Sequence, residues 1–292
     1  MRGRLARLAA CAAAMLMWGA SFVGTRVAYQ TLTPLWLAFL RFAVAGAAMV
    51  PYLVLKRHAL PRGRTLAIAC SSGLVGITLY YAAENYGVML TSASVASIVT
   101  ASFPAIALLV EALVRRMRPS VRSLVGSAIS LLGVAILTAA PTQEGATSVL
   151  GISILFSAGI LWGLYNLVVQ GALEGTDVLQ VTGLQFLSGA AGLAPLLCLE
   201  PAPTVAGVRD ALGALAFLSL GCSLVAYLLY NWALGGLPAA TCAAMLNLIP
   251  VFGLLLSAVV LGEPLGAHKV VAAAVTLAGI WYATAATPDA AS

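Results

Sequence analysis

Long apolar runs broken by short polar segments dominate the chain. Cutting at the polar breaks leaves roughly ten segments, at about 8–28, 34–55, 65–84, 93–114, 123–140, 149–170, 178–198, 211–231, 239–261 and 270–287. Each approaches the roughly 20 apolar residues that span a bilayer as a helix. The runs are continuous rather than alternating, which argues against a transmembrane β-barrel. The pattern predicts an all-α membrane protein of ten transmembrane helices.

The pattern also repeats. Residues 17–51 align without a gap on residues 161–195, so that Trp18 meets Trp162, Gly19 meets Gly163, Phe42 meets Phe186 and Pro51 meets Pro195. Further on, Tyr81 meets Tyr227, Asn85 meets Asn231, Pro104 meets Pro250 and Gly133 meets Gly279. The two copies are expected at 1–140 and 149–287. Each holds five spans, an odd number, so the second copy must enter the membrane from the opposite side. Two inverted five-helix repeats are a hallmark of secondary transporters, which bind substrate near the midplane between the halves.

Composition supports the membrane reading. The chain is 62% hydrophobic and 8% charged, against about 25% charged residues in soluble domains. The net charge of +6 does not indicate a nucleic-acid partner, because its placement follows topology. Arg2, Arg4 and Arg7, then Lys56, Arg57, Arg62 and Arg64, then Arg115, Arg116, Arg118 and Arg122 fall on one side of the first-half spans. The positive-inside rule puts that side, and both termini, in the cytoplasm of a cell with this chain in its inner membrane. The first residues imitate a signal peptide, but cleavage there would remove Trp18 and Gly19, which belong to the repeat. The five cysteines lie in or at the ends of spans without CxxC spacing, and read as packing residues.

The stretches WGASFVGTRVA, LRF, YAAENYGVMLTSASVAS followed by FPAIALL, and NLIPVFGLLLSAVVLGEPL resemble the EamA family of the drug/metabolite transporter superfamily. The resemblance covers nearly the whole chain in tandem. It implies a ten-helix fold around a central cavity, and export or uptake of small metabolites. The family's glutamate after the midmembrane proline stands here as Glu263, whereas the first half has Met117, followed by Arg118 and Pro119.

Polar groups in apolar spans are costly and mark candidate function. Arg26 and Glu111 lie near span ends, where snorkelling and an i,i+4 pair with Arg115 account for them. Arg41 lies deeper and either snorkels or faces the cavity and meets Glu84. The cavity set comprises Trp18, Arg41, Tyr81, Glu84, Asn85, Thr100, Trp162, Tyr165, Asn166, Gln185, Tyr227, Asn231 and Asn247. For the amides the alternative is interhelical hydrogen bonding. Pro104 and Pro250 are expected to break spans four and nine, freeing the carbonyls of Thr100 and Leu246. Gly126, Gly133, Ala272 and Gly279 form a small-residue packing stripe.

No ATP-binding loop, metal-ligand spacing or nucleophile elbow occurs, and no cofactor is expected. The expected partners are a small-molecule substrate and the lipid bilayer; the oligomeric state stays open. An intramembrane enzyme, or a non-transporting scaffold or receptor, are the competing classes. Arg41 is the one deep cation, and the matching position is Gln185. Such a cavity suits neutral, zwitterionic or aromatic-bearing metabolites better than polyanions. Glu84 is the candidate titrating group, through which a moving Arg41 could couple protons to transport.

Overall fold

The computed structural model describes residues 2–116, 118, 120–139, 148–173, 176–234, 245–246 and 248–284. Among these residues the chain is helical, with no strand. The helices are α1 (Arg2–Ala28), α2 (Pro34–Leu55), α3 (Gly63–Met89), α4 (Ala93–Val114), α5 (Val121–Ala139), α6 (Val149–Leu173) and α7 (Val178–Leu199, its last turns 3₁₀ from Ala194). After a short helix at Val205–Asp210 come α8 (three consecutive segments, Leu212–Ala216, Phe217–Val225 and Ala226–Leu234), α9 (Leu248–Leu261) and α10 (Ala267–Thr284).

Seven described helices, α1–α4 and α6–α8, contain stretches long and apolar enough to cross a membrane. The apolar parts of the other three are shorter: Leu124–Ile136, Leu248–Leu261 and Ala267–Gly279. For the ninth expected span, 239–244 lies outside the described residues, as do Asn247, Met117 and Pro119.

Three departures from the expected elements shape the centre. First, α3 and α8 are not regular. Leu74–Leu79 in α3 and Phe217–Val225 in α8 are π-helical. The two segments fall at matching places in the repeat. Such wide turns are rare and gather at functional sites. Second, Pro104 does not interrupt a continuous helix. The α4 helix is already divided at Ser102, between Ala93–Ala101 and Phe103–Val114, and Pro104 sits in the first turn of the second piece. There its missing N–H leaves no hydrogen bond unmade. Third, Pro250 similarly lies in the first turn of α9 as described, and the Leu246 carbonyl accepts from the Ile249 N–H at 3.0 Å.

The most extensive contacts between helices keep their pattern when the two halves are exchanged. α1 packs on α8 and α9, just as α6 packs on α3 and α4. α2 packs on α7, α4 on α9 and α5 on α10, each a helix against its own counterpart. The small-residue stripe serves the last of these contacts: a Cβ on Gly133 would fall 2.7 Å from the Thr276 backbone N, and one on Gly279 would fall 2.3 Å from that of Ser130. Such backbone approach is what small residues permit in bilayers. The largest apolar cluster lies where α2, α3, α4, α6 and α7 converge, around Phe42, Phe186, Tyr80, Tyr81 and Phe103.

Two carboxylates fasten helix starts across the halves. Glu263, just beyond α9, accepts from the backbone N–H groups of Ala93 (2.9 Å) and Ser94 (3.1 Å) and from the Ser94 hydroxyl (2.5 Å). It therefore caps α4. Glu200, just beyond α7, accepts from the Leu35 N–H at 3.0 Å and the Tyr86 hydroxyl at 2.6 Å, capping α2. Both place negative charge at the positive end of a helix, where orphan N–H donors collect.

Candidate functional site: a central cavity between the halves

A cavity of about 120 Å³ lies where the divided α4, the π-bearing helices α3 and α8, and α1, α2, α6 and α9 meet. Its wall carries Trp18, Ser21 and Phe22 from α1, Arg41 from α2, and Tyr80, Tyr81 and Glu84 from α3. Thr100, Ala101, Phe103 and Pro104 come from α4, Trp162 from α6 and Tyr227 from α8. Leu246 precedes α9, which adds Ile249 and Pro250.

The expected residues divide accordingly. Trp18, Arg41, Tyr81, Glu84, Thr100, Trp162, Tyr227, Pro104 and Pro250 lie on the wall. Four others turn elsewhere. Asn85 is buried and donates to the Pro34 carbonyl at 2.9 Å, holding the start of α2. Asn166 folds back on its own helix, donating to the Trp162 carbonyl at 2.8 Å. Gln185 donates to the Ser72 hydroxyl at 2.8 Å between α7 and α3. Tyr165 packs its ring over Gly76 in the π-helical turn of α3. The Asn231 side chain and Asn247 lie outside the described residues.

Arg41 is the chemical centre. It is only 4% exposed, and its Nε donates to the Ser223 hydroxyl at 2.8 Å. The guanidinium lies 4.8 Å from the Tyr81 ring centroid and 5.4 Å from that of Phe42. Rings at this range partly compensate a desolvated cation. A guanidinium has five N–H donors, and among the described residues this one makes a single hydrogen bond. Most of its donors are therefore unclaimed at the cavity wall.

Glu84 does not pair with Arg41. It accepts a 2.6 Å hydrogen bond from the Tyr80 hydroxyl, one helical turn earlier. The one ion pair found among the described residues is Arg115–Glu111 at 3.2 Å, the i,i+4 surface pair expected from sequence. The cavity thus holds a cation and a carboxylate that do not neutralise each other directly. Aromatic rings stand around them: Tyr80 packs on Tyr81 (4.8 Å between centroids) and Trp162 (5.6 Å), and Trp18 meets Tyr227 edge-on at 5.4 Å. The indole N–H of Trp18 is satisfied by the Cys222 carbonyl at 2.9 Å, which fixes its ring.

Among the residues that the repeat did not single out are Tyr80 on the wall and Ser223, which anchors Arg41. Tyr80 aligns with Ala226, so comparison of the halves favoured its neighbour Tyr81. The i,i+4 spacing of Tyr80 and Glu84 was the available signal.

A mostly apolar cavity with a few polar groups, set among apolar helices, suits a membrane transporter. Comparison with known proteins agrees. The EamA-like transporter family matches residues 6–139 and again 149–285, and the chain belongs to that family. An uncharacterised transporter of Archaeoglobus fulgidus is 28% identical over 93% of this chain and 94% of its own. A probable terminal-alkyne amino-acid exporter of Streptantibioticus cattleyicolor is 24% identical, over 91% of this chain and 89% of its own. The uncharacterised inner membrane transporter YedA of Escherichia coli is 26% identical, over 86% and 81%. A crystal structure superposes with a TM-score of 0.68 at 21% identity, covering 96% of both chains, which bears on the fold alone.

Proposed function

We propose that this transporter is a secondary carrier that exports small zwitterionic, amino-acid-like metabolites by alternating access through the central cavity. The observation that carries this is the unneutralised pair on its wall. Arg41 offers free guanidinium donors suited to a carboxylate. Glu84, held by Tyr80 beside the rings of Trp162 and Tyr81, offers a site for an ammonium group. The rings leave an apolar wall for a side chain. A polyanion would find one buried cation and an opposing carboxylate.

The exchange pattern of helix contacts supports the frame: ten spans as two inverted five-helix repeats, at 1–140 and 149–287. The clustered basic residues support cytoplasmic termini in a cell membrane. Export is favoured by the similarity to the Streptantibioticus exporter.

The test is counterflow in proteoliposomes holding purified protein, with labelled neutral amino acids, their decarboxylated amines and their deaminated acids. Exchange of the zwitterions alone is the expected result. Exchange of the amines or acids at equal rates would reject the paired-charge reading, and exchange of none would favour a scaffold or receptor.

A further inference from the structure

A second cavity, of about 390 Å³, opens where the end of α2 and the start of α3 meet the start of α7. Its polar wall is built by both halves: Lys56, Arg62 and Thr65 on one side, Thr176, Asp177 and Gln180 on the other. It shares no wall residue with the central cavity.

Two features mark it as a binding site. Lys56 and Arg62 carry charges that no acidic group answers among the described residues. Among the described wall residues the one carboxylate, Asp177, is engaged otherwise: it accepts from the Tyr52 hydroxyl and from the Leu179 N–H at 3.0 Å, as the cap of α7. The second feature is Gln180. It is 3% exposed, and its amide has no hydrogen-bond partner among the described residues. Its amide is not sealed off but reaches the cavity it lines, where a ligand could pair with it. The titratable groups adjacent in sequence to its basic residues, Arg57, His58 and Arg64, are basic or neutral; Arg57 donates to His58 at 3.2 Å.

The location narrows the ligand. The cavity sits where three apolar helices end, the level of lipid headgroups. Beside it the outer surface of α2 exposes Val50, Val54 and Leu55. We infer that this cavity binds a phosphate group at the basic face of the membrane, with Lys56 and Arg62 meeting the charge and Gln180 donating to a phosphate oxygen. An anionic phospholipid would lay its acyl chains along α2; a free phosphate would use the polar wall alone. Either occupant would join α2 of one half to α7 of the other.

The experiment is native mass spectrometry of the purified full-length chain with equimolar phosphatidylglycerol and phosphatidylcholine of identical acyl chains. The expected result is retention of phosphatidylglycerol roughly tenfold over phosphatidylcholine. Lys56→Gln with Arg62→Gln should abolish that preference, Lys56→Arg with Arg62→Lys should keep it, and Gln180→Leu, which leaves both cations, should weaken it. In a second arm, inorganic phosphate is added to delipidated protein against chloride of equal ionic strength. A rise in melting temperature that the double glutamine variant lacks would make free phosphate the occupant. A phosphatidylglycerol preference unchanged in that variant would overturn the inference. So would equal retention of both lipids by the intact chain with no response to phosphate.

Discussion

The contact of α2 with α8 and the contact of α7 with α3 occupy equivalent places in the two halves, yet they are built differently. In the first, Arg41 reaches Ser223 and stands at the central cavity. In the second, Gln185 reaches Ser72 away from it. The α7–α3 contact is closed by glycine: a Cβ on Gly73 would lie 2.6 Å from the Gln185 carbonyl oxygen, and one on Gly189 would lie 2.4 Å from Ile77. At the positions matching Gly73 and Gly76, α8 has Ser219 and Cys222. One copy of the motif has become a tight joint and the other a cavity wall. That is why charge persists in only one: a cation is tolerable where a cavity and aromatic faces receive it, and not in a seam of backbone against backbone.

Substituting Arg41→Gln makes the two contacts alike and is expected to have the largest effect. Loss of charge-assisted hydrogen bonds, about 1.5–3 kcal/mol, should cut uptake of a zwitterion into proteoliposomes by roughly tenfold or more. Variant protein should still elute as a monodisperse peak, since glutamine can also reach Ser223. Undiminished transport would show that the difference between the halves has no bearing on substrate.

Next in size is Gly73→Ala. The added methyl meets a backbone carbonyl that cannot rotate away, and overpacking of this kind costs about 1–3 kcal/mol. A fall of several degrees in the melting temperature in detergent is expected. A variant as stable as the parent would mean that α3 and α7 are not in close register.

The smallest effect is expected at the matching position. Ser219 is fully buried and its hydroxyl has no hydrogen-bond partner among the described residues. Ser219→Ala removes an unsatisfied group and should be neutral or stabilising by up to about 1 kcal/mol. If thermal unfolding shows instead that Ser219→Ala destabilises as much as Gly73→Ala, the contrast between the two seams is lost.

The all-helical membrane fold and the family were legible because they rest on the length of the apolar runs and on repetition. Arg41, Trp18, Trp162 and Tyr227 stood out as polar or amphipathic groups inside apolar runs, and the cavity gathers all four. What was not legible lies mostly in the backbone. The π-helical turns and the division of α4 at Ser102 depend on hydrogen-bond register, which residue types do not spell. Polarity alone also could not separate amides that face a cavity from amides that tie helices together, so Asn85, Asn166 and Gln185 read the same as Arg41. Glu200 passed unnoticed because a carboxylate in a loop raises no question until its partners, the Leu35 N–H and Tyr86, are seen.

The carboxylate caps on α2 and α4 have a consequence for how the chain is made. Both helices belong to the half that leaves the ribosome first, but Glu200 and Glu263 are translated 165 and 170 residues after the N–H groups of Leu35 and Ala93 that they satisfy. During synthesis those helix starts must rely on water or headgroups until α7 and α9 arrive. Biogenesis therefore has a built-in order: the early half inserts with two ends unfastened, and the late half supplies the closures. A ribosome stalled before Glu200 would leave an inserted but unfinished product, open to membrane quality control at the two places the completed protein seals.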